Sequence, residues 1–212
     1  MKAIKMLGLA AVAAISAMAL FGASSAMATF DTALCSEKSP ELKCPDAKLV
    51  KHVHLLAEDG TMVTSVGTTL CKYALISTEV LGLGKPLLLH FLKEGLTYTE
   101  CKLGLIKCTF ETVHYGLLDL LKTASDLGVL TDLPVEGKYT EVHVVCGELI
   151  DCTYKWEGLE GHALSAQPPT SNGRVTYTNA PVQKVGGLLC PKETRLNAVF
   201  ESLPGAPIWI RS

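Results

Sequence analysis

Tyr139-Thr140-Glu141-Val142-His143-Val144-Val145-Cys146 decides the fold. Tyr139, Glu141, His143 and Val145 fall on one side; Thr140, Val142, Val144 and Cys146 fall on the other. That period of two marks a strand with two distinct faces. Reading outward, the pattern recurs. Lys48–Leu56 (KLVKHVHLL) sets Val50, His52, His54 and Leu56 against Leu49, Lys51, Val53 and Leu55. Thr61–Val66 and Thr68–Val80 are rich in Thr, Val, Ile and Tyr, punctuated by Gly60 and Gly67. Leu96–Cys101 (LTYTEC) and Lys107–Tyr115 (KCTFETVHY) alternate too. Arg174–Asn179 follows Asn172-Gly173, a strong hairpin-turn dipeptide, and Leu196–Phe200 and Pro207–Arg211 close the chain. Lys85–Glu94 and Leu117–Leu130 contain good helix formers, yet Pro86 also suits a strand edge and Leu118-Asp119-Leu120 also alternates; both are read as strands. Gly158–Gly173, with Pro168-Pro169, reads as an exposed loop. Nothing repeats at a fixed period, which argues against a solenoid or propeller. The expected fold is all-β: an antiparallel sandwich or barrel-like domain with little helix outside the leader.

The leader is Met1–Ala28. MKAIK is basic, Met6–Ala23 is uncharged and apolar, and Ser24-Ser25-Ala26-Met27-Ala28 ends in the small-x-small pattern of signal-peptide cleavage. An uncleaved anchor is the competing reading, because the apolar run approaches the ~18 residues that span a bilayer. Its weakly hydrophobic Ala and Gly content favours cleavage after Ala28, leaving residues 29–212 as a single secreted domain with no membrane span. Cys35 follows Thr32-Ala33-Leu34, which is not the small-residue context of a lipid-attachment site.

The 212-residue chain is 48% hydrophobic, 6% aromatic and 19% charged, with net charge −2. Without the leader, 184 residues remain, 17 basic and 21 acidic, for a net −4. That is ample for one domain with a core. The mild acidity argues against a nucleic-acid or anionic-membrane partner.

Eight cysteines follow the leader: Cys35, Cys44, Cys71, Cys101, Cys108, Cys146, Cys152 and Cys190. Export permits disulfides, and an even count suggests four. Cys35 and Cys44 stand apart around a polar loop containing Pro40 and pair with each other. The remaining six leave two solutions open. One is local: Cys101–Cys108, Cys146–Cys152 and Cys71–Cys190. The other joins strands: Cys71–Cys101, Cys108–Cys146 and Cys152–Cys190. The closest spacings, Cys-x5-Cys and Cys-x6-Cys, match zinc sites poorly, and a redox Cys-x-x-Cys is absent.

Several of these segments together resemble a known group. They are the alanine-rich leader, Thr64-Ser65-Val66-Gly67-Thr68 before Cys71, Leu96-Thr97-Tyr98-Thr99-Glu100-Cys101, Val144-Val145-Cys146 with Cys152-Thr153-Tyr154, Cys190-Pro191 before Leu196–Phe200, and the Pro207–Ile210 ending. The chain is similar to secreted proteins of unknown function from soil actinobacteria, present there in many paralogous copies. The resemblance implies export and a β-rich, disulfide-bonded domain, and it implies no activity. Shorter chains of that kind lack counterparts of Cys108 and Cys146 while keeping those of Cys152 and Cys190, so the resemblance implies the strand-joining set of bridges.

Catalytic motifs are missing. There is no Gly-x-Ser-x-Gly elbow, no His-Glu-x-x-His and no phosphate loop; Gly82-Leu83-Gly84 lacks a third glycine. Glu157 and Glu160 could act as paired carboxylates, but they sit in a stretch that reads as a solvated loop. His52 and His54 share a strand face, a chelating geometry, and His114 and His143 lie on strands that a Cys108–Cys146 bridge would join. No third ligand is identifiable, and the pattern is read as solvent-facing imidazoles. Tyr154-Lys155-Trp156 places Tyr154 and Trp156 on one face beside Cys152. Exposed, they would suit a sugar ring or a protein partner. Buried, they would be core packed on a disulfide. Trp209 reads as part of a closing strand.

The reading is therefore a secreted extracellular or cell-envelope β-domain, a non-catalytic structural or interaction module without cofactor or metal. Its partner would be a cell-surface protein or a glycan. A glycan- or small-ligand-binding domain using Tyr154 and Trp156 is the alternative, and an extracellular hydrolase ranks third.

Overall fold

Alternation becomes burial in the computed structural model. In β2 (His52–Thr64), Val53, Leu55 and Ala57 point inward while His52, His54 and Glu58 face solvent. The other long strands are β3 (Gly67–Val80), β4 (Leu87–Leu103), β11 (Arg174–Gly186) and β12 (Glu193–Ser202). Shorter ones are β5 (Ile106–His114), β6 (Leu117–Ala124), β7 (Leu127–Leu133), β8 (Glu141–Cys146), β9 (Ile150–Lys155) and β10 (Glu160–Leu164). β1 (Ala33–Cys35) pairs with β13 (Trp209–Arg211). The structure describes residues 31–38, 44–148, 150–167, 172–187, 189–204 and 206–211. The expected leader and its expected cleavage site, Pro40 and Pro168-Pro169 lie outside the described residues. Among the described residues the helical content is one 3-10 turn, Asp46–Lys48, and no helix is long and apolar enough to cross a membrane.

Eleven strands form one sheet in the order β10-β7-β6-β4-β3-β2-β12-β11-β9-β8-β5, with β10 also pairing β11 and β5 also pairing β4. Those two extra pairings close it into a barrel, the stricter of the two expected architectures, because closure removes exposed sheet edges. Two rings result. The five long strands belong to both. β6, β7 and β10 complete eight strands at one end; β5, β8 and β9 complete eight at the other. β4 shows how: Leu87–His90 pair with β6, whereas Cys101–Leu103 pair with β5. β11 likewise uses Arg174–Thr176 for β10 and Gln183–Gly186 for β9.

Residues 31–212 form one compact unit around a single main core. Midway along it, four ring contacts link five aromatics: Phe91–Tyr115 (centroids 5.3 Å apart), Phe91–Trp156 (6.4 Å), Trp156–Tyr177 (6.4 Å) and Tyr177–Phe200 (5.9 Å). Leu34 of β1, Ile208 and Ile210 join the interior of the β6–β7–β10 ring.

Neither Lys85–Glu94 nor Leu117–Leu130 is helical: β4 starts at Leu87, and the second segment holds β6, a turn at 125–126 and the start of β7. Three local readings are corrected. Gly158–Gly173 is not loop throughout, because β10 runs through it. Gly161 is there for packing, not turning: a Cβ would lie 2.6 Å from Val175 Cγ1 and 2.8 Å from the Tyr177 ring. Asn172-Gly173 does not close a two-residue hairpin, since β10 and β11 are joined across residues 165–173. Gly173 instead admits Ile208, whose carbonyl oxygen would sit 2.8 Å from a Cβ. Finally, Lys48 ends the 3-10 turn, and the strand expected from Lys48 starts at His52.

Four disulfides join Cys35–Cys44, Cys71–Cys101, Cys108–Cys146 and Cys152–Cys190, and no described cysteine is free. Cys71 lies directly opposite Cys101, Cys101 opposite Cys108, and Cys108 opposite Cys146. One row of four cysteines thus crosses β3, β4, β5 and β8, bridged as its two outer pairs with Cα–Cα separations of 3.9 and 4.1 Å.

Candidate functional site

β9 is held between β8 and β11, with Tyr154 opposite Val142 on one side and Lys184 on the other. Its alternation puts Tyr154 and Trp156 on one face, and that face is the barrel interior: both side chains are 3% exposed. The exposed aromatic platform expected of a sugar-binding strand is therefore absent at Tyr154 and Trp156. Closure of the sheet turned that face inward. Both rings line an apolar cavity of about 30 Å³ with Met62, Tyr98, Phe110 and Phe200. A second apolar cavity, about 40 Å³, lies in the other ring among Leu34, Leu55, Leu89 and Ile210. Each is roughly the size of one water, far below the ~300 Å³ at which small-molecule sites begin. The barrel is filled by its own side chains.

The buried titratable centre is elsewhere. Asp132, near the end of β7, is 4% exposed. It accepts from the Thr140 backbone N–H (2.7 Å) and the Thr140 hydroxyl (2.6 Å), and Thr140 Oγ1 in turn accepts from the Gly116 N–H (3.0 Å). Burial pushes the Asp132 carboxyl up to about 6; the two Thr140 hydrogen bonds and nearby His114 oppose the rise, and Asp119 adds to it. His114 Nε2 is buried without a hydrogen-bond partner. Tyr177 is pushed well above its ordinary value, first by burial and then by Asp132. Neither apolar cavity includes Asp132 or His114. The cluster ties the start of β6 and the segment before β8 to β7, where the two short wall segments meet.

The remaining histidines do not converge. His52 and His54 both face solvent on β2, and His54 Nδ1 lies 2.9 Å from Ser77 Oγ. His143 Nε2 pairs with Asp151 at 2.7 Å. Among the described residues no group of three His, Cys, Asp or Glu is placed to hold a metal. Glu157 forms an ion pair with Lys155, while Glu160 is exposed on β10. Trp209 is buried in β13, beside Cys35 and Ala166.

What the sequence reading missed is a rim. Four connections, β2–β3, β4–β5, β8–β9 and β11–β12, all leave the barrel at the end completed by β5, β8 and β9. Leu105 is fully exposed at the β4–β5 tip, and Leu189 is 72% exposed in the β11–β12 connection. Val66, Ile106 and Val185 are exposed around them. The signal was present in Cys101-Lys102-Leu103-Gly104-Leu105-Ile106-Lys107-Cys108, an apolar tip between two lysines. It fell in the gap between two segments read separately as strands. Beneath the rim, three bridges fasten β3 to β4, β5 to β8, and β9 to the β11–β12 connection. No protein-family model, curated protein or solved structure matches the chain.

Proposed function

We propose that this is an exported, disulfide-fastened β-domain that works by interaction at the cell envelope or outside the cell, like the actinobacterial secreted proteins it resembles. The rim carries the reading. Contiguous exposed apolar side chains cost solubility and mark interaction surfaces on soluble domains. The two most exposed large apolar side chains among the described residues, Leu105 and Leu189, both stand at this end above three bridges, while the interior offers room for about a water per cavity. Four bridges favour an oxidising compartment, and the leader supplies the route there.

Expression with the leader in a bacterial host, followed by fractionation, tests this. The exported chain should begin at Thr29 and fractionate with the envelope. Leu105→Asp, with its fold verified by circular dichroism, should shift to the medium. A chain that stays in the cytoplasm, or a variant that fractionates like the wild type, would refute the reading.

A further inference from the structure

The rim is not only apolar. Residues 61–70, 102–107, 147–150 and 184–195, which make up its four connections and their flanks, contain Lys102, Lys107, Lys184, Lys192 and Arg195 against Glu148 and Glu193. Asp151, next along and in contact with His143, adds a third carboxylate, leaving five cations against three. This end is thus basic, although the domain as a whole carries −4. Overall acidity argues against an anionic partner only if charge is evenly spread, and here it is not.

The placement of the lysines is specific. Lys102 and Lys107 are directly opposed across β4 and β5, both exposed, and neither makes an ion pair among the described residues. Like charges facing each other across a ladder are unfavourable by themselves. They become favourable when an anion lies between or above them. Between them the chain projects Leu103-Gly104-Leu105-Ile106. Exposed Lys192 and half-exposed Lys184, whose Nζ donates to the Cys190 carbonyl oxygen at 3.4 Å, flank a second uncharged stretch, Val185 to Pro191. Lys184, Lys192 and Arg195, with Glu193, also line a groove of about 470 Å³ that opens between β11 and β12. Apolar tips that project from a fastened platform, each bracketed by long cationic side chains, suit an interface that is apolar at depth and anionic at its surface. A flat protein partner would need a pocket for each tip; acyl chains deform around them.

We propose that the rim docks on an anionic lipid surface. Leu105, Ile106 and Leu189 enter the acyl boundary, and Lys102, Lys107, Lys184 and Lys192 meet phosphate headgroups. This rests on the interaction reading given above and names its partner.

The test is co-sedimentation of the exported, fully oxidised protein with vesicles of phosphatidylcholine alone or mixed with phosphatidylglycerol. Binding should require the anionic lipid and weaken with added salt. Leu105→Asp should weaken it about tenfold or more, since it removes a wholly exposed leucine from the apolar contact. The double variant Lys102→Glu, Lys107→Glu should weaken it comparably. Leu121→Asp, an exposed apolar position on the barrel wall, should leave it unchanged. Absence of wild-type binding to anionic vesicles overturns the inference, as does wild-type binding by Leu105→Asp. If envelope fractionation depends on Leu105 while vesicles bind nothing, the lipid surface is refuted and the interaction reading survives with another partner. If fractionation ignores Leu105 as well, both fall.

Discussion

Replacing Asp132 with Asn should flatten the pH dependence of stability, and the size of the effect follows from the site. The carboxyl ordinarily titrates near 3.8 and is pushed up to about 6 in the fold, with burial as the main cause. A folded-state value above the unfolded one means that the native state holds the proton more tightly. The associated stabilisation is therefore complete below pH 3.8 and is lost as pH rises through about 6. Some two units correspond to about 3 kcal/mol. Asn cannot titrate, so that loss should vanish. It also turns an amide toward one of the two Thr140 donors, costing about 1–2 kcal/mol at every pH. The assay is urea unfolding, bridges intact, followed by tryptophan fluorescence at pH 4, 5, 6 and 7. Trp156 touches Tyr177, so its emission reports on this region. Between pH 4 and 7 the wild type should lose about 2 kcal/mol more than Asp132→Asn, since at pH 4 the unfolded carboxyl is still partly ionised. Groups that do not interact with Asp132 are common to both proteins and cancel in the difference. Parallel pH profiles would refute the reasoning and show that Asp132 stays ionised throughout.

Gly187 has φ +99°, and a Cβ there would stand 2.2 Å from both Cys190 Sγ and the Asp151 carbonyl oxygen. Gly187→Ala should therefore displace the Cys152–Cys190 bridge, seen as two titratable thiols in the unfolded, unreduced protein. Replacing Cys71 and Cys101 together with Ser opens a link of sequence separation 30 and should cost about 3–4 kcal/mol of unfolding free energy in urea. Trp156→Ala should cost about 3–5 kcal/mol, as expected for a buried aromatic. Equal stability would mean that Trp156 is not the core residue described here.

The strands were legible because a half-buried strand alternates whatever it pairs with; β2, β4, β8 and β12 all show it. The segment 117–130 was harder, since leucines suit a helix or a strand, and its pairing with β4 and β10 decided for strand. The stretch 158–173 misled because its glycines permit either a turn or a close approach, and at Gly161 only the Tyr177 ring above it distinguishes them. The Asp132–Thr140 pair was invisible: eight residues separate the partners, and neither stands in a recognisable motif.

By itself, then, the sequence determined which residues could form strands and that eight cysteines were available to fasten a domain. Local chemistry suffices for those. It could not determine which way Tyr154 and Trp156 face, because period two names two faces and not the inner one. That was decided when β10 met β11 and β5 met β4, closing the rings. Nor could it select the bridges: Cys101 stands opposite both Cys71 and Cys108, so the register alone leaves either as its partner. The folded chain bonds Cys101 to Cys71 and Cys108 to Cys146, leaving no cysteine of that row unpaired. The rim, likewise, exists only because four connections far apart in sequence leave the same end of one barrel.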